Sequence, residues 1–340
     1  MDKVRFAFVG FRHGHIFSLY DLARSREDVE VVAACEEDEA TRSGLAQSGR
    51  VQITHSSYRE LLDSVACDVI AVGDYYGKRG GIIIEALRRG KHAIADKPIC
   101  TSLGELNEIE RLAKAGRLAV GCQLDMRNGG TMLETRRLVR AGEIGEVHVI
   151  VVTGQHPLLY GTRPGWYFEP GKHGGTINDI GIHAVDAIPW ITGETFVRLE
   201  AARAWNARLP QEPSFQDAGQ FMATLSNGCG VLCDVSYLSP DKMGYRMPQY
   251  WRMMLSGSKG LLEAIPTANQ VIVYRSDAEE PEVIATGVGN RGGYLESFLR
   301  EVRGDTAGVD LSSAEVLAAS RVALTIQQAA DQGQTQVKLS

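Results

Sequence analysis

The chain has 340 residues, 44% hydrophobic and 23% charged, which is the composition of an ordinary globular protein and a suitable length for two domains. No run approaches the roughly 18 apolar residues that a membrane span requires, and the opening segment MDKVRFAFVG lacks the pattern of a secretory signal. A net charge of -6 without a basic stripe argues against nucleic acid and anionic membrane surfaces as partners. These features predict a cytoplasmic protein that acts on a small molecule.

The cysteines show no pattern of a disulfide framework. The six are Cys35, Cys67, Cys100, Cys122, Cys229 and Cys233, and four of them lie in or beside apolar strand-like runs. We expect small buried side chains in a reducing compartment. No cysteine–histidine spacing resembles a structural zinc site, and the sequence predicts no metal site.

Up to about residue 125, short apolar runs alternate with helical stretches. The predicted strands are 4–10, 29–35, 67–73, 91–98 and 117–123, and the predicted helices are 15–26, 39–47, 58–64, 80–90 and 103–116. Strands that are apolar throughout and separated by helices are typical of a parallel, doubly wound α/β sheet. Ligands of such sheets bind beyond the carboxyl ends of the strands.

The pattern changes after residue 125. A helix at 132–142 leads to a strand at 147–154, and an irregular stretch rich in Gly, Pro and aromatic residues follows at 155–178. Further strands are predicted at 197–205, 219–226, 230–238, 250–257 and 270–276, before helices at 293–303 and 312–331. This order indicates an α+β domain with a large, open, mostly antiparallel sheet. The exposed face of an open sheet needs covering, so we expect a homodimer or homotetramer.

The first strand–helix turn, GFRHGH (10–15), lies where a dinucleotide fingerprint would be. Of G-x-G-x-x-G it keeps only Gly10 in register, because Arg12 and His15 replace the second and third glycines and Gly14 comes one place early. Two interpretations stay open for Arg12: its guanidinium contacts the pyrophosphate, or it blocks the approach and no dinucleotide binds. For His13 and His15, contacts within the turn or between domains are favoured over catalysis.

An acidic run follows the second strand. Glu36 lies about 20 residues after the turn, where an acid usually binds the ribose hydroxyls. With Glu37 and Asp38 beside it, the run would repel a 2′-phosphate, so NAD is favoured over NADP. The alternative is that these carboxylates only favour the N-terminus of the next helix.

Asp96-Lys97-Pro98 ends a predicted parallel strand, which places Lys97 at the ligand edge of the sheet. An ammonium held near a nicotinamide ring can hydrogen-bond the reacting oxygen and stabilise developing alkoxide charge. The alternative is a solvated surface lysine.

The segment GGTINDIGIHAVD (174–186) contains Asp179, His183 and Asp186 at helical spacing, which predicts that they share one helix face. Histidine can accept a hydroxyl proton near neutral pH while the carbinol carbon gives up hydride, and a neighbouring carboxylate can hold the substrate. Taken alone, His183 is also consistent with a structural histidine.

Together, the N-terminal strand and glycine turn, Asp96-Lys97-Pro98 and GG-x3-D-x-G-x-H-x2-D resemble the Gfo/Idh/MocA family, the relatives of glucose–fructose oxidoreductase and inositol dehydrogenase. The segments GEIGEV (142–147) and LSGSKGLLEA (255–264) extend the resemblance along the chain. It implies a Rossmann domain at 1–125, a substrate-binding and oligomerisation domain at 126–340, and NAD(P)-linked oxidation of a sugar or polyol hydroxyl. It suggests Lys97, Asp179 and His183 as the catalytic residues, converging beside the nicotinamide.

Three departures from the family pattern stand out. The glycine fingerprint is degraded, the family's Glu-Lys-Pro is Asp-Lys-Pro, and its Thr-Pro-Asn-x-x-His is Gly73-Asp74-Tyr75-Tyr76-Gly77-Lys78. They predict a subgroup with its own substrate or cofactor arrangement. The predicted cofactor contacts are Gly10, Arg12, His13, Gly14, His15, Glu36, Asp74, Tyr75, Asp96, Lys97 and Gln123.

The stretch 155–173 is expected to line the substrate pocket, with flat aromatic faces and hydrogen-bond donors that suit a sugar ring or an anion. The predicted substrate contacts are His156, Tyr160, Arg163, Trp166 and Tyr167. Alternatively, this loop packs its own aromatic side chains. Two other functions stay open: an enzyme that retains NAD and cleaves or epimerises a glycoside through transient oxidation, and a non-catalytic nucleotide or sugar sensor.

Overall fold

A computed structural model describes residues 2–290 and 292–339 and divides into two compact units. The first contains the residues up to Leu124 together with Gly171–Gly174 and Gly292–Ser320. The second contains Asp125–Pro170, the chain from Gly175 to residue 290, and the chain from Arg321 onward. The segment Gly292–Ser320 thus clusters with the N-terminal residues, whereas the expected division at 125/126 would place it in the second domain. The domain boundaries themselves stay a prediction.

The first unit is built on a parallel sheet of five strands in the order β2-β1-β3-β4-β5. The strands are β1 (Val4–Val9), β2 (Val29–Cys35), β3 (Val69–Val72), β4 (His92–Ala95) and β5 (Val120–Cys122). Their apolar side chains are largely buried, as expected for strands covered on both faces. The predicted doubly wound sheet is confirmed, and β1 and β3 flank the point where the strand order reverses.

Helices follow the first four strands of this sheet. They are α1 (His15–Arg24), α2 (Glu39–Ser48), α3 (Tyr58–Ser64), α4 (Tyr76–Arg88) and α5 (Leu103–Gly116). Ser57 and Ser102 cap α3 and α5 by accepting hydrogen bonds from the backbone amides of Glu60 and Glu105, the pattern of a Ser-x-x-Glu helix start. From the C-terminal part, α8 (Gly293–Val302) contacts β5.

The second unit contains a nine-stranded sheet in the order β13-β12-β11-β10-β6-β9-β8-β7-β14. The strands are β6 (Val147–Pro157), β7 (Phe196–Trp205), β8 (Ala218–Leu225), β9 (Gly230–Ser239), β10 (Arg252–Gly257), β11 (Gly260–Ile265), β12 (Gln270–Arg275), β13 (Glu282–Ala285) and β14 (Thr335–Lys338). Every pairing is antiparallel except that of β6 with β9. The predicted open, mostly antiparallel sheet is confirmed.

Three helices complete the chain: α6 (Gly130–Arg140), α7 (Ile182–Thr192) and α9 (Ser313–Gln332). Helix α6 contacts α7, β11 and β12. Because α7 is apolar around most of its circumference, nearly all of its residues are buried.

Some elements were wrong or missed in the sequence analysis. Helix α4 begins at Tyr76 rather than at residue 80, which brings Tyr76 and Arg79 onto the helix. Strands β11, β13 and β14 were not predicted. The last two are short, largely exposed strands at the two edges of the sheet, so they lack the apolar run that marks a buried strand.

The cysteine prediction is confirmed for the described chain: all six thiols are free and buried. Among the described helices, none combines the length and the apolar character needed to cross a bilayer.

Candidate active site

The turn after β1 is tight and has only one glycine of the fingerprint in register. Gly10 has φ 80°, and a Cβ there would lie 2.6 Å from the Cβ of Asp74, so only glycine fits. The backbone amide of Arg12 donates to the Gly73 carbonyl at 3.1 Å, which ties the turn to the end of β3. Helix α1 then begins without a side-chain cap. An uncapped helix N-terminus at this edge of the sheet fits an anionic ligand.

Glu36, the predicted ribose contact, is 1% exposed and supports this turn. Its carboxylate accepts hydrogen bonds from the backbone amides of Phe11 at 2.6 Å and Asp38 at 2.8 Å. Burial raises the pKa of Glu36, and these two amides offset part of the effect. The ribose contact stays a prediction.

The neighbouring acids Glu37 and Asp38 both have partners in the first unit. Asp38 caps α2 through the Thr41 amide at 2.8 Å and lies 3.3 Å from the Arg12 guanidinium. Glu37 pairs with Lys78 at 2.7 Å. The capping interpretation is therefore correct for Asp38, and Arg12 has an acidic partner within its own unit.

Asp74 and Tyr75, predicted cofactor contacts, begin the segment after β3. Lys78 Nζ lies 2.8 Å from Asp74 Oδ2, and Lys172 Nζ lies 5.0 Å from the Tyr75 ring centroid. Gln123 follows β5, and its buried side-chain oxygen accepts no hydrogen bond from the described residues. A buried acceptor at the carboxyl end of a parallel strand fits a donor supplied by a ligand.

Lys97 lies at the carboxyl end of β4 and is 5% exposed. Its Nζ is 5.9 Å from the centroid of the Tyr76 ring. The surface-lysine alternative is therefore wrong. The peptide bond to Pro98 is cis.

Arg79 of α4 fixes the backbone around Lys97. Its Nη1 donates to the carbonyls of Asp96 at 2.9 Å, Lys97 at 2.6 Å and Pro98 at 3.1 Å, while Nε donates to the Asp74 carbonyl at 2.7 Å. Its Nη2 lies 3.0 Å from Asp96 Oδ2, and both side chains are fully buried. Arg79 is thus the group that sets the main-chain path on both sides of Lys97.

His13 and His15 both contact Asp96. His13 Nδ1 hydrogen-bonds Asp96 Oδ2, and His15 Nδ1 lies 3.3 Å from Oδ1. On its other side, His13 Nε2 is 3.2 Å from the Tyr76 hydroxyl. Burial lowers the pKa of His13 to about 4 although Asp96 opposes it. Burial also works to raise the pKa of Asp96, but the contacts with His13 and Arg79 hold it well below its usual range. His13 thus contacts Asp96 and Tyr76, which lie outside the turn but in the same unit, and the preference for turn or interdomain contacts over catalysis stays a prediction.

In the second unit, Asp179 and His183 are buried on consecutive helical segments. Asp179 lies in a π-helical turn, Ile177–Gly181, directly before α7, so the chain is not a regular α-helix there. Such turns occur frequently at functional sites. The Asp179 carboxylate accepts a hydrogen bond from the Tyr237 hydroxyl. The His183 ring packs edge-on against Trp251, with centroids 5.4 Å apart.

Asp186, the third acid of the motif, belongs to a structural ion pair. Its Oδ2 accepts from Arg127 Nε at 3.0 Å, and both residues are buried. This pair links α7 to the segment that precedes α6, and it leaves Asp179 as the candidate substrate-binding acid of the motif.

The predicted substrate loop divides into exposed and packed residues. Tyr160 is 45% exposed, and its hydroxyl donates to Glu212 at 2.7 Å. Trp166 and Tyr167 are buried and pack with tilted rings whose centroids are 4.3 Å apart, and Arg163 donates to the Leu158 carbonyl at 2.6 Å. The alternative in which the loop packs its own aromatics thus describes part of it, and the substrate contacts stay a prediction.

His156 leads to residues that the sequence analysis missed. Its ring packs edge-on against Tyr250 at 4.7 Å and Trp251 at 5.3 Å, and lies 6.2 Å from Tyr237. These rings join His156 to the partners of both Asp179 and His183. Tyr237 and Trp251 lie in or beside strands that were predicted, but nothing in the strand pattern marks a hydroxyl or an indole as part of a site.

Two family models match this chain. Residues 4–123 match "Oxidoreductase family, NAD-binding Rossmann fold", and residues 132–263 match "GFO/IDH/MocA C-terminal domain". The chain spans about half the length of the first curated relatives it matches.

A broader match is the inositol 2-dehydrogenase/D-chiro-inositol 3-dehydrogenase of Lactiplantibacillus plantarum, 21% identical over 83% of this chain and 75% of that protein. Among solved structures, an Erwinia carotovora oxidoreductase superposes with a TM-score of 0.86 at 24% identity, covering 96% of this chain and 99% of that one. An inositol dehydrogenase homologue from Azotobacter vinelandii in complex with NAD+ gives a TM-score of 0.81 at 18% identity, covering 99% and 97%. The two models together account for most of the sequence, and the chain belongs to the Gfo/Idh/MocA family of oxidoreductases.

Proposed function

We propose that the protein is an NAD-dependent dehydrogenase that moves hydride between nicotinamide and a secondary hydroxyl of a sugar, polyol or sugar acid. The observation that carries the proposal is Lys97, buried at the carboxyl end of a parallel strand and fixed through its backbone by Arg79. A buried cation at the ligand edge of a dinucleotide-type sheet is suited to stabilise an alkoxide.

The cofactor fits the first unit by three observations. Gly10 permits a tight turn in which a Cβ would clash with Asp74, α1 begins without a side-chain cap, and the Gln123 side-chain oxygen accepts no hydrogen bond from the described part of the chain. The turn would hold the pyrophosphate and Glu36 the ribose, with the acidic run disfavouring a 2′-phosphate. When bound, NAD supplies the carbon that accepts or donates hydride.

Each catalytic residue has a separate task in the oxidative direction. The imidazole of His183 accepts the proton of the substrate hydroxyl, Lys97 hydrogen-bonds the oxygen as its charge develops, and Asp179 holds a second hydroxyl. Tyr237 orients Asp179 through its hydrogen bond, and Trp251 fixes the plane of the His183 ring.

The names of relatives support the substrate class. They include the inositol dehydrogenase of Lactiplantibacillus plantarum and a 1,5-anhydro-D-fructose reductase of Ensifer adhaerens, the latter 25% identical over 46% of this chain. We propose that this protein also acts on a cyclic polyol or sugar, and that His156 and Tyr160 contact the ring of that substrate.

We also propose that the open sheet forms the interface of a homo-oligomer. Val149, Met222 and Leu232 expose apolar side chains on neighbouring strands of its centre, β6, β8 and β9. Light scattering should give a mass of at least two chains, and a monomer at micromolar concentration would contradict this part.

The test of the function is a screen for fluorescence of reduced cofactor, with NAD and a panel of inositols, sugars and sugar acids. We expect stoichiometric NADH with at least one of them. Product formed without net NADH would instead indicate an enzyme that retains NAD and uses transient oxidation. Nucleotide binding without turnover of any member would contradict the proposal in favour of a sensor.

A further inference from the structure

Two histidines and an aspartate bring three ligand atoms together at the start of α1. One nitrogen of His13, one of His15 and a carboxylate oxygen of Asp96 lie within 4.8 Å of one another. We propose that these residues form a binding site for a divalent transition-metal ion, a site that the sequence analysis did not predict. The inference goes beyond the dehydrogenase activity and does not depend on it.

The donor set suits a borderline metal ion. Two imidazole nitrogens and one carboxylate oxygen on one side of an ion leave its remaining positions open, and this combination favours Zn²⁺, Co²⁺, Ni²⁺ or Fe²⁺ over Mg²⁺ and Ca²⁺. His15 Nδ1 and Asp96 Oδ1 are 3.3 Å apart. Two ligands each about 2.1 Å from a common ion are separated by about that distance. The pair therefore needs little movement to close on an ion.

One ligand oxygen is already placed for this role. Asp96 is fully buried, and its Oδ1 accepts no hydrogen bond from the described residues, its near contact being His15 Nδ1. A buried carboxylate oxygen without a donor is uncommon and points to a missing partner. Since His15 has a half-exposed side chain, an ion can reach the cluster from solvent.

The other contacts form a second layer around the ligands. Arg79 binds Asp96 through Oδ2 and leaves Oδ1 available. With a metal on Nδ1 of His13, its Nε2–H would donate to the Tyr76 hydroxyl, 3.2 Å away. Hydrogen bonds of this kind orient metal ligands in proteins. The positive charge of Arg79 on Asp96 weakens the attraction for any cation, so the two imidazole nitrogens must supply much of the affinity.

The cluster also connects two departures from the family pattern. His15 stands where the third glycine of the fingerprint would be, and Asp96 replaces the family's glutamate. Although the two positions are 81 residues apart, their side chains meet.

The experiment uses the full chain without an affinity tag, stripped with a chelator and free of nucleotide. Co²⁺ is followed by its visible absorption and Zn²⁺ by calorimetry, for wild type, His15→Ala and the matched control His148→Ala, an exposed histidine on β6. Because His15 is half exposed, His15→Ala should fold, and circular dichroism checks this.

We expect one ion per wild-type chain, at least tenfold weaker binding in His15→Ala, unchanged binding in His148→Ala, and no binding of Mg²⁺. Wild type that binds neither Co²⁺ nor Zn²⁺ would overturn the proposal, as would His15→Ala that binds as tightly as wild type. NAD binding is measured separately on the stripped protein. That measurement tests the dehydrogenase proposal, so its result can be distinguished from a failure of the metal site.

Discussion

The Tyr237 hydroxyl donates a hydrogen bond to the Asp179 carboxylate, and the two side chains are among the most deeply buried polar groups of the second unit. Tyr237 reaches Asp179 from β9, so the strand and the π-helical turn are joined at the acid proposed to hold the substrate. A hydroxyl in this position limits the directions in which the carboxylate can point.

Tyr237→Phe should therefore weaken substrate binding and stability together. Leaving a buried carboxylate without this donor should lower the free energy of unfolding by about 1–3 kcal/mol, measured by urea denaturation. We also expect KM to rise more than kcat falls, because Asp179 holds the substrate rather than carrying out proton transfer. The control is Tyr274→Phe at an exposed tyrosine of β12. Equal KM values for Tyr237→Phe and wild type would exclude the proposed role of this pair.

Much of the fold was predictable because the spacing of apolar residues distinguishes strands from helices in both units. Buried strands such as Val69–Val72 carry uninterrupted apolar runs, and helix starts such as Ser102 carry their caps. The edge strand Thr335–Lys338 has neither signal, since its side chains are mostly exposed. The parallel pairing of β6 with β9 depends on contacts between distant segments, which local patterns do not encode.

The candidate site was predictable where motifs lie within one stretch of chain. Lys97, Asp179 and His183 were proposed from spacing and from family resemblance, and their catalytic roles stay a prediction. Arg79 was missed because a fully buried arginine is rare and its helix was expected to begin later. The contact between His15 and Asp96 was missed because it joins two distant turns, which become neighbours only after β1, β3 and β4 have paired.

Removing Arg79 should damage the first unit severely. Arg79→Met leaves the buried Asp96 carboxylate without its guanidinium, which should cost about 3–5 kcal/mol of unfolding free energy in urea denaturation. Arg88→Met is the matched control, because Arg88 is half exposed and pairs with Glu85 and Glu108 at the surface. Its loss should change the free energy of unfolding far less than Arg79→Met does, because exposed ion pairs contribute little to stability. If Arg79→Met lowered the free energy of unfolding no more than Arg88→Met, the buried pair of Arg79 and Asp96 would not be important for stability.

The thiols should be inert in the folded protein. Burial raises the pKa of Cys35 to about 12 and that of Cys229 to about 11, so neither forms thiolate at neutral pH. A disulfide-exchange reagent should detect no fast-reacting thiol in native protein and six after unfolding in urea. Above about pH 8.5 the thiols ionise in the unfolded chain but stay neutral in the folded protein. The free energy of unfolding should therefore fall as the pH rises above this value. A thiol that reacts in native protein as fast as free cysteine would contradict this assignment.

The acidic run after β2 should make the protein prefer NAD. Calorimetry should give at least tenfold tighter binding of NAD than of NADP, since a 2′-phosphate would lie near Glu36 and Asp38. Asp38→Asn should reduce the ratio of NAD to NADP affinity. Glu39→Gln, at an exposed neighbour on α2, should leave this ratio unchanged. Tighter binding of NADP would contradict the proposed ribose contact.

The central claim is that Lys97 stabilises the reacting oxygen of the substrate without being required for nucleotide binding. The direct test measures turnover and NAD affinity in Lys97→Ala beside Lys114→Ala, an exposed lysine of α5, with the substrate identified by the screen. The account predicts a loss of turnover of at least about a hundredfold in Lys97→Ala, with NAD affinity within threefold of wild type and Lys114→Ala unaffected. Turnover of Lys97→Ala close to that of wild type would contradict it.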